Sequence, residues 1–147
     1  LAYNLEKGAV PELDLEKAKA LIELLLELAR GKILSSCHDV SDGGLAVALA
    51  ESAIKGKTGF EVDIPGEGER WDGLLFSEAP GRVVASVNPQ NLERLKAEAG
   101  KYKIPVLTVG RVGGGSLLYH GNGQELISVP LSEAARAWEG AIECYMK

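Results

Sequence analysis

The chain switches between two hydrophobic periods, one helical and one strand-like. Leu15, Ala18, Leu21, Ile22, Leu25, Leu28 and Ala29 recur at helical spacing, with Glu16, Lys19, Glu23, Glu27 and Arg30 on the other positions. This predicts an amphipathic helix with one buried stripe, started by Asp14 as N-cap and stopped by Gly31. Residues 1–11 have no period and read as a loop. Residues 32–36 read as a short strand. Residues 45–50, Leu-Ala-Val-Ala-Leu-Ala, are apolar nearly all round. They predict a deeply buried helix packed on a sheet through small side chains, capped by Ser41 or Asp42 and ending near Gly56. Phe60, Val62 and Ile64 alternate with Glu61 and Asp63, the mark of a half-buried strand.

Residues 65–68 are a surface loop, and 71–76 are short, apolar and ambiguous between helix and strand. Residues 83–87, Val-Val-Ala-Ser-Val, predict a central strand. Asn88 caps a helix over residues 89–99, with proline at its first position. Residues 104–109 predict another strand, Pro105 suiting an edge or a strand start. Gly113, Gly114 and Gly115 form a flexible bend. Residues 116–119 and 124–129 flank Asn122-Gly123, a hairpin signal. Ser132 caps a last helix with Ala134, Ala137, Trp138, Ala141, Ile142 and Tyr145 as its buried stripe. The mixed element order and the hairpin predict an α+β fold, a single mixed sheet with an antiparallel hairpin, covered by helices.

Length and composition narrow the classes. The 147 residues suit a single domain with a real core. The net charge of -5, without a basic stripe, argues against nucleic-acid binding. No apolar run approaches the roughly 20 residues that span a bilayer. No signal peptide is visible, and Cys37 and Cys144 lack metal-ligand spacing, so free thiols in a reducing, cytoplasmic compartment are expected rather than a disulfide. The chain opens with Leu1, and it is expected to be a piece of a longer or processed polypeptide.

The densest chemistry lies in residues 37–45, Cys-His-Asp-Val-Ser-Asp-Gly-Gly-Leu, between a strand and a helix start. Asp39, Ser41, Asp42, Gly43 and Gly44 admit two readings. One is a phosphate or nucleotide contact at a helix N-terminus, where glycines allow close approach. The other is a capped, glycine-tightened turn that packs the domain on its neighbour; the carboxylates themselves repel a bare anion. His38 reads as a hydrogen-bonded structural residue, and no second histidine stands nearby for a metal site. A second polar turn, residues 76–82, carries Glu78 and Arg82. Their spacing permits an ion pair that fixes the loop, or a contact with substrate. The three glycines at 113–115 lack the following Lys-Ser or Lys-Thr of a phosphate loop.

Two stretches carry a family resemblance. Residues 38–51, His-Asp-Val-Ser-Asp-Gly-Gly-Leu-Ala-Val-Ala-Leu-Ala-Glu, resemble a motif of the formylglycinamidine ribonucleotide synthetase large component. Residues 75–84, Leu-Phe-Ser-Glu-Ala-Pro-Gly-Arg-Val-Val, resemble that family's second marker, and residues 138–141, Trp-Glu-Gly-Ala, fit its last helix. The superfamily includes aminoimidazole ribonucleotide synthetase. It pairs an amino-terminal domain, which carries most ATP and metal ligands, with a carboxy-terminal α/β domain; the synthetase has two such pairs.

The resemblance implies that residues 1–147 are the last domain of a longer ATP-dependent carbon–nitrogen ligase of purine synthesis. That enzyme converts formylglycinamide ribonucleotide, ATP and ammonia into formylglycinamidine ribonucleotide. It further implies ATP and magnesium in the full-length enzyme but none held by this fragment. The implied partners are the enzyme's own amino-terminal domains, a glutaminase subunit and a small bridging subunit. A Glu-Ser-Gln triplet touches substrate in the first pair's equivalent domain. The matching positions here are Glu78, Ala79 and Pro80, of which only the glutamate is kept, so no catalytic residue and no metal ligand is assigned. The isolated fragment is expected to be inactive, and an apolar face left bare would favour its self-association. The rival reading is a stand-alone, non-catalytic interaction or anion-binding module of the same fold. Hydrogenase-maturation and selenophosphate-forming relatives match less well around residues 40–42 and 76–82.

Overall fold

The computed structural model describes residues 13–66 and 70–145. The loop expected over residues 1–11, residues 67–68 of the 65–68 loop and the side chains of Ile142, Cys144 and Tyr145 lie outside the described residues. Helix α1 spans Leu15–Arg30, and the Asp14 carboxylate accepts from the Lys17 amide at 3.0 Å, as expected of an N-cap. Strand β1 is Leu34–Asp39, helix α2 Gly44–Gly56, strand β2 Phe60–Ile64 and helix α3 Trp71–Phe76. Strand β3 is Val83–Val87. A 3-10 turn over Pro89–Asn91, with Asn88 accepting from the Gln90 amide, leads into α4, Leu92–Lys101. Strands β4, Gly110–Val112, β5, Ser116–Gly121, and β6, Gln124–Pro130, precede α5, Leu131–Tyr145.

The α+β class and the hairpin hold, but the strands divide into two sheets rather than one. β1 and β3 pair antiparallel as a two-stranded ribbon. The other four run in the order β4-β2-β5-β6, with β2 and β5 parallel and the outer pairings antiparallel. β3 is therefore a ribbon strand, half-buried, and not the central strand its valines predict. The 104–109 stretch is not a strand, and Val106 and Leu107 are exposed; it meets β2 only at its end, where the Val109 carbonyl accepts from the Asp63 amide at 2.7 Å, and the strand starts at Gly110. Pro105, which lacks an amide hydrogen, falls before that pairing begins. Gly110 is where β4 meets β2 most closely: a Cβ there would lie 2.0 Å from the Glu61 carbonyl oxygen. Asn122 and Gly123, both at positive φ, turn the β5–β6 hairpin.

Two apolar cores result. Phe60, Val62, Ile64, Leu117 and Tyr119 of the larger sheet pack with Ala46 and Ala53 of α2 and Leu75 of α3. Phe60 and Tyr119 meet edge to face, centroids 5.0 Å apart. The Tyr119 hydroxyl donates to the Ala46 carbonyl at 2.7 Å, and burial pushes its phenol well above the ordinary range. The second core joins Leu24 and Leu28 of α1 to Leu95 and Ala99 of α4 through Ile33, backed by Leu34 and Val87 of the ribbon.

Three helix faces differ from the pattern's forecast. In α1 the core side is Leu24 and Leu28, with Leu21 and Leu25 half-buried, while Leu15, Ile22 and Ala29 are exposed. Leu24 escaped the forecast because α1 is apolar on opposite faces, and periodicity alone does not choose between them. In α2, Ala46, Ala48 and Ala53 are buried but Leu45, Val47, Leu49, Ala50 and Ile54 are only half-buried. In α5, Ser132 lies inside the helix rather than capping it, Trp138 is 48% exposed, and Ala137 and Ala141 are exposed. α2 and α5 flank an almost wholly apolar groove of about 420 Å³, floored by Leu117, Tyr119, Ile127 and Val129.

Candidate functional site

The two sequence motifs fold into one site. β1 runs further than predicted and takes Cys37, His38 and Asp39 into the ribbon, where Asp39 pairs with Val83. The Val40 amide then donates to the Arg82 carbonyl at 3.0 Å, so the strand pairing continues from the first motif into the second. After Val40 the chain turns: the Gly44 amide reaches the Ser41 carbonyl at 3.0 Å, and Gly43 and Gly44 take φ values of 77° and 70°. These left-handed values suit glycine.

The N-cap of α2 is Gly43, and neither Ser41 nor Asp42 caps the helix. The cap comes from the other motif, 35 positions away: the Gly43 amide donates to Glu78 Oε1 at 2.8 Å. A carboxylate at this place satisfies an orphan helix amide and complements the positive helix end. Gly44 explains how Glu78 gets there. A Cβ on Gly44 would stand 2.6 Å from the Phe76 carbonyl carbon and 2.8 Å from the Leu75 oxygen. Only a bare glycine lets the end of α3 lie against the start of α2, which delivers Glu78 two residues later.

Glu78 and Arg82 do not form the expected ion pair. The Arg82 guanidinium instead donates to the Ser77 carbonyl, to Ser77 Oγ at 2.9 Å and to the Ala79 carbonyl at 3.4 Å. It braces the turn from inside through backbone oxygens, leaving the Glu78 carboxylate free for Gly43. The two residues thus share a loop but divide its work.

His38 faces α2. Its Nδ1 lies 2.7 Å from the Asp39 carbonyl oxygen and its Nε2 3.0 Å from Glu51 Oε2. Glu51 Oε1 also accepts from the Trp138 indole at 3.2 Å. The contacts of Glu51 with His38 and Trp138 therefore tie the ribbon to α2 and α5. Sequence reasoning saw His38 as hydrogen-bonded but missed Glu51, although its place as the one charged residue among residues 45–54 was the available signal.

Asp39, Ser41 and Asp42 are exposed at the rim. The rim fits a bare phosphate poorly: the Gly43 amide is already taken by Glu78, and Asp39 and Asp42 add further carboxylates. Nor does any group of three or more His, Cys, Asp or Glu side chains converge to hold a metal ion among the described residues. The glycine bend at 113–115 is pinned rather than loose. Gly59 exchanges backbone bonds with Gly113 and Gly114, and the Leu131 amide donates to Gly115. Cys37 is a free thiol. No helix among the described residues is long and apolar enough to cross a membrane.

Comparison with known proteins agrees with this geometry. The family described as AIR synthase related protein, C-terminal domain, matches residues 2–120. The phosphoribosylformylglycinamidine synthase subunit PurL of Thermoanaerobacter sp. (strain X514) is 37% identical over 147 residues, which is 100% of this chain and 20% of that protein. The chain thus spans about a fifth of the length of that curated relative. Among solved structures, Thermotoga maritima PurL complexed with FGAR superposes with a TM-score of 0.78 at 21% identity, covering 90% of this chain and 23% of that one. The structure of PurLQS from the same organism gives 0.77 at 22% identity, covering 86% and 23%. At such identities the structures speak for the fold. The family match over most of the chain shows that the chain belongs to the AIR synthase related proteins, as their C-terminal domain.

Proposed function

We propose that the chain is the last domain of a phosphoribosylformylglycinamidine synthase, the ATP-dependent ligase that makes formylglycinamidine ribonucleotide in purine synthesis. The observation that carries this reading is the bond from the Gly43 amide to Glu78 Oε1, which joins the two family motifs into one structure. The whole-length match to a curated PurL supports it. In this reading the domain is a single folding unit of a cytoplasmic enzyme. It serves as a wall: α2 and the Glu78 turn are fixed relative to each other and present the Asp39–Asp42 rim to the remaining domains. Such positioning is a large part of catalysis in ligases of this kind. ATP and magnesium would be held by the full-length enzyme. Ammonia delivery through a glutaminase and a small bridging subunit fits the PurLQS assembly of the structural relative.

The rival, a stand-alone anion-binding module, is disfavoured because the helix amide it would use already holds an internal carboxylate. Titration calorimetry of magnesium-ATP, and then of formylglycinamide ribonucleotide, into the isolated chain separates the two. The proposal expects no heat from either and no ligase or ATPase activity. It expects activity to return when the chain is added to a parent enzyme lacking this domain. Saturable binding abolished by Asp42→Ala would make the rim a site in its own right and overturn the proposal.

A further inference from the structure

Helix α1 has two apolar faces on opposite sides. Leu24 and Leu28 point into the α1–α4 core. Half a turn round, Leu15, Ile22 and Leu26 are 70%, 59% and 49% exposed, and Ala29 is exposed beside them. A helix resting on a core normally carries charge there. The spacings of seven, four and three residues make this outer stripe continuous along the helix. One border of it carries Glu16, Lys19, Glu23, Glu27 and Arg30, all exposed and, among the described residues, in no ion pair.

We propose that this stripe is the contact surface for a second copy of the chain, with the two α1 helices antiparallel about a two-fold axis near Ile22 and Glu23. The order of signs along the border selects this arrangement. In an antiparallel helix pair the same border of each helix meets itself in reverse. Glu16 then faces Arg30 of the partner subunit, and Lys19 faces the partner's Glu27, each pairing occurring twice by symmetry. Only Glu23, at the axis, meets its own kind. A parallel two-fold pair instead sets this border against the opposite one, where Ala18 and Leu25 stand, and leaves all five charges without a partner. Apolar burial would drive the association, while the border charges set its direction, since exposed pairs contribute little alone. An isologous contact of this kind closes on itself and stops at the dimer. By contrast, the groove between α2 and α5 is apolar with one carboxylate, Glu51, already bonded twice, and carries no charge order that names an occupant.

Sedimentation equilibrium of the 147-residue chain from about 1 μM to about 1 mM tests this. The expected result is a reversible monomer–dimer equilibrium. Ile22→Glu should weaken it by about tenfold or more. Lys19→Glu should weaken it less, and adding Glu27→Lys to Lys19→Glu should restore it, an outcome that loss of fold cannot mimic. Because all three positions are exposed, each variant should keep the wild-type circular-dichroism melting curve at concentrations where the chain is monomeric. A strict monomer throughout overturns the proposal and assigns the stripe to another part of a longer polypeptide. A dimer indifferent to Ile22→Glu overturns it in favour of a different face. A dimer broken by Ile22→Glu but indifferent to the charge swap overturns the antiparallel arrangement.

Discussion

Gly44→Ala is the sharpest test of how the two motifs are joined. Three costs add. The backbone at Gly44 has φ 70°, a left-handed value that costs an alanine about 1–2 kcal/mol. The new Cβ would lie 2.6–2.8 Å from the Phe76 carbonyl carbon, the Phe76 Cα and the Leu75 oxygen. Carbon atoms in contact rest at about 3.5–4.0 Å, and these neighbours are backbone, so no rotamer change relieves the clash. The end of α3 must move off α2, loosening the buried Leu75 and pulling Glu78 from the helix cap, for a further roughly 1–3 kcal/mol. The total is about 2–5 kcal/mol, its top near the upper end for single substitutions. For a domain of this size that lowers the melting temperature by roughly 10 °C. Gly140→Ala is the matched control. It lies within α5, a Cβ added there would meet no atom within 4 Å, and the change should be neutral or stabilising by roughly 0.5–1 kcal/mol. Urea unfolding followed by far-UV circular dichroism measures both. If Gly44→Ala unfolds within about 1 kcal/mol of wild type, the α2–α3 approach is not as close as argued, and the account of how Glu78 is delivered fails with it.

Glu78→Ala should cost about 1 kcal/mol by removing the remote helix cap, and Glu78→Gln, which keeps an oxygen acceptor, should cost less; equal losses in urea unfolding would show that the Gly43 bond is not what matters. Tyr119→Phe should cost about 1 kcal/mol by removing the hydroxyl that donates to Ala46. Burial raises the Tyr119 phenol above its ordinary value of 10.0, so the neutral form is favoured in the fold. The stability this contributes is complete below the unfolded value and is lost as pH rises beyond it. Wild type should therefore lose stability above about pH 10, and Tyr119→Phe should show a shallower alkaline limb in pH-dependent melting. Asn122→Ala should cost about 1–2 kcal/mol in thermal melting, because Asn122 sits at φ 50° and its amide makes two bonds to the Gly66 backbone.

Elements set by local rules were legible from the chain. Asp14 caps α1, Phe60, Val62 and Ile64 alternate into the core, and Asn122-Gly123 turns the hairpin, because each depends on a few neighbouring residues. What escaped depends on pairings distant in sequence. Cys37, His38 and Asp39 read as loop because they are polar, yet opposite β3 they complete a strand. Ser41 and Asp42 were the natural caps by proximity, but the Gly44 approach brings Glu78 to the helix first. The spacing of Glu78 and Arg82 on their turn suggested an ion pair, but Glu78 turns instead to the Gly43 amide. The loop is not helical, and Arg82 bonds to its carbonyls.

The division into two sheets gives His38 a structural meaning that its neighbours lack. A two-stranded ribbon has little stability of its own. This one is backed on one side by the α1–α4 core through Leu34 and Val87. His38 links it to Glu51 on α2, a helix that belongs to the other core, and Trp138 of α5 completes the chain. The same helix carries the Glu78-capped terminus at one end and Glu51 two turns further on. α2 therefore registers the position of the ribbon, of the Glu78 turn and of α5 together. That is a physical reason for one motif to run unbroken from His38 to Glu51. Its polar start shapes the capped turn, its small apolar centre lets α2 approach the sheet, and its closing glutamate returns to the histidine with which the motif begins.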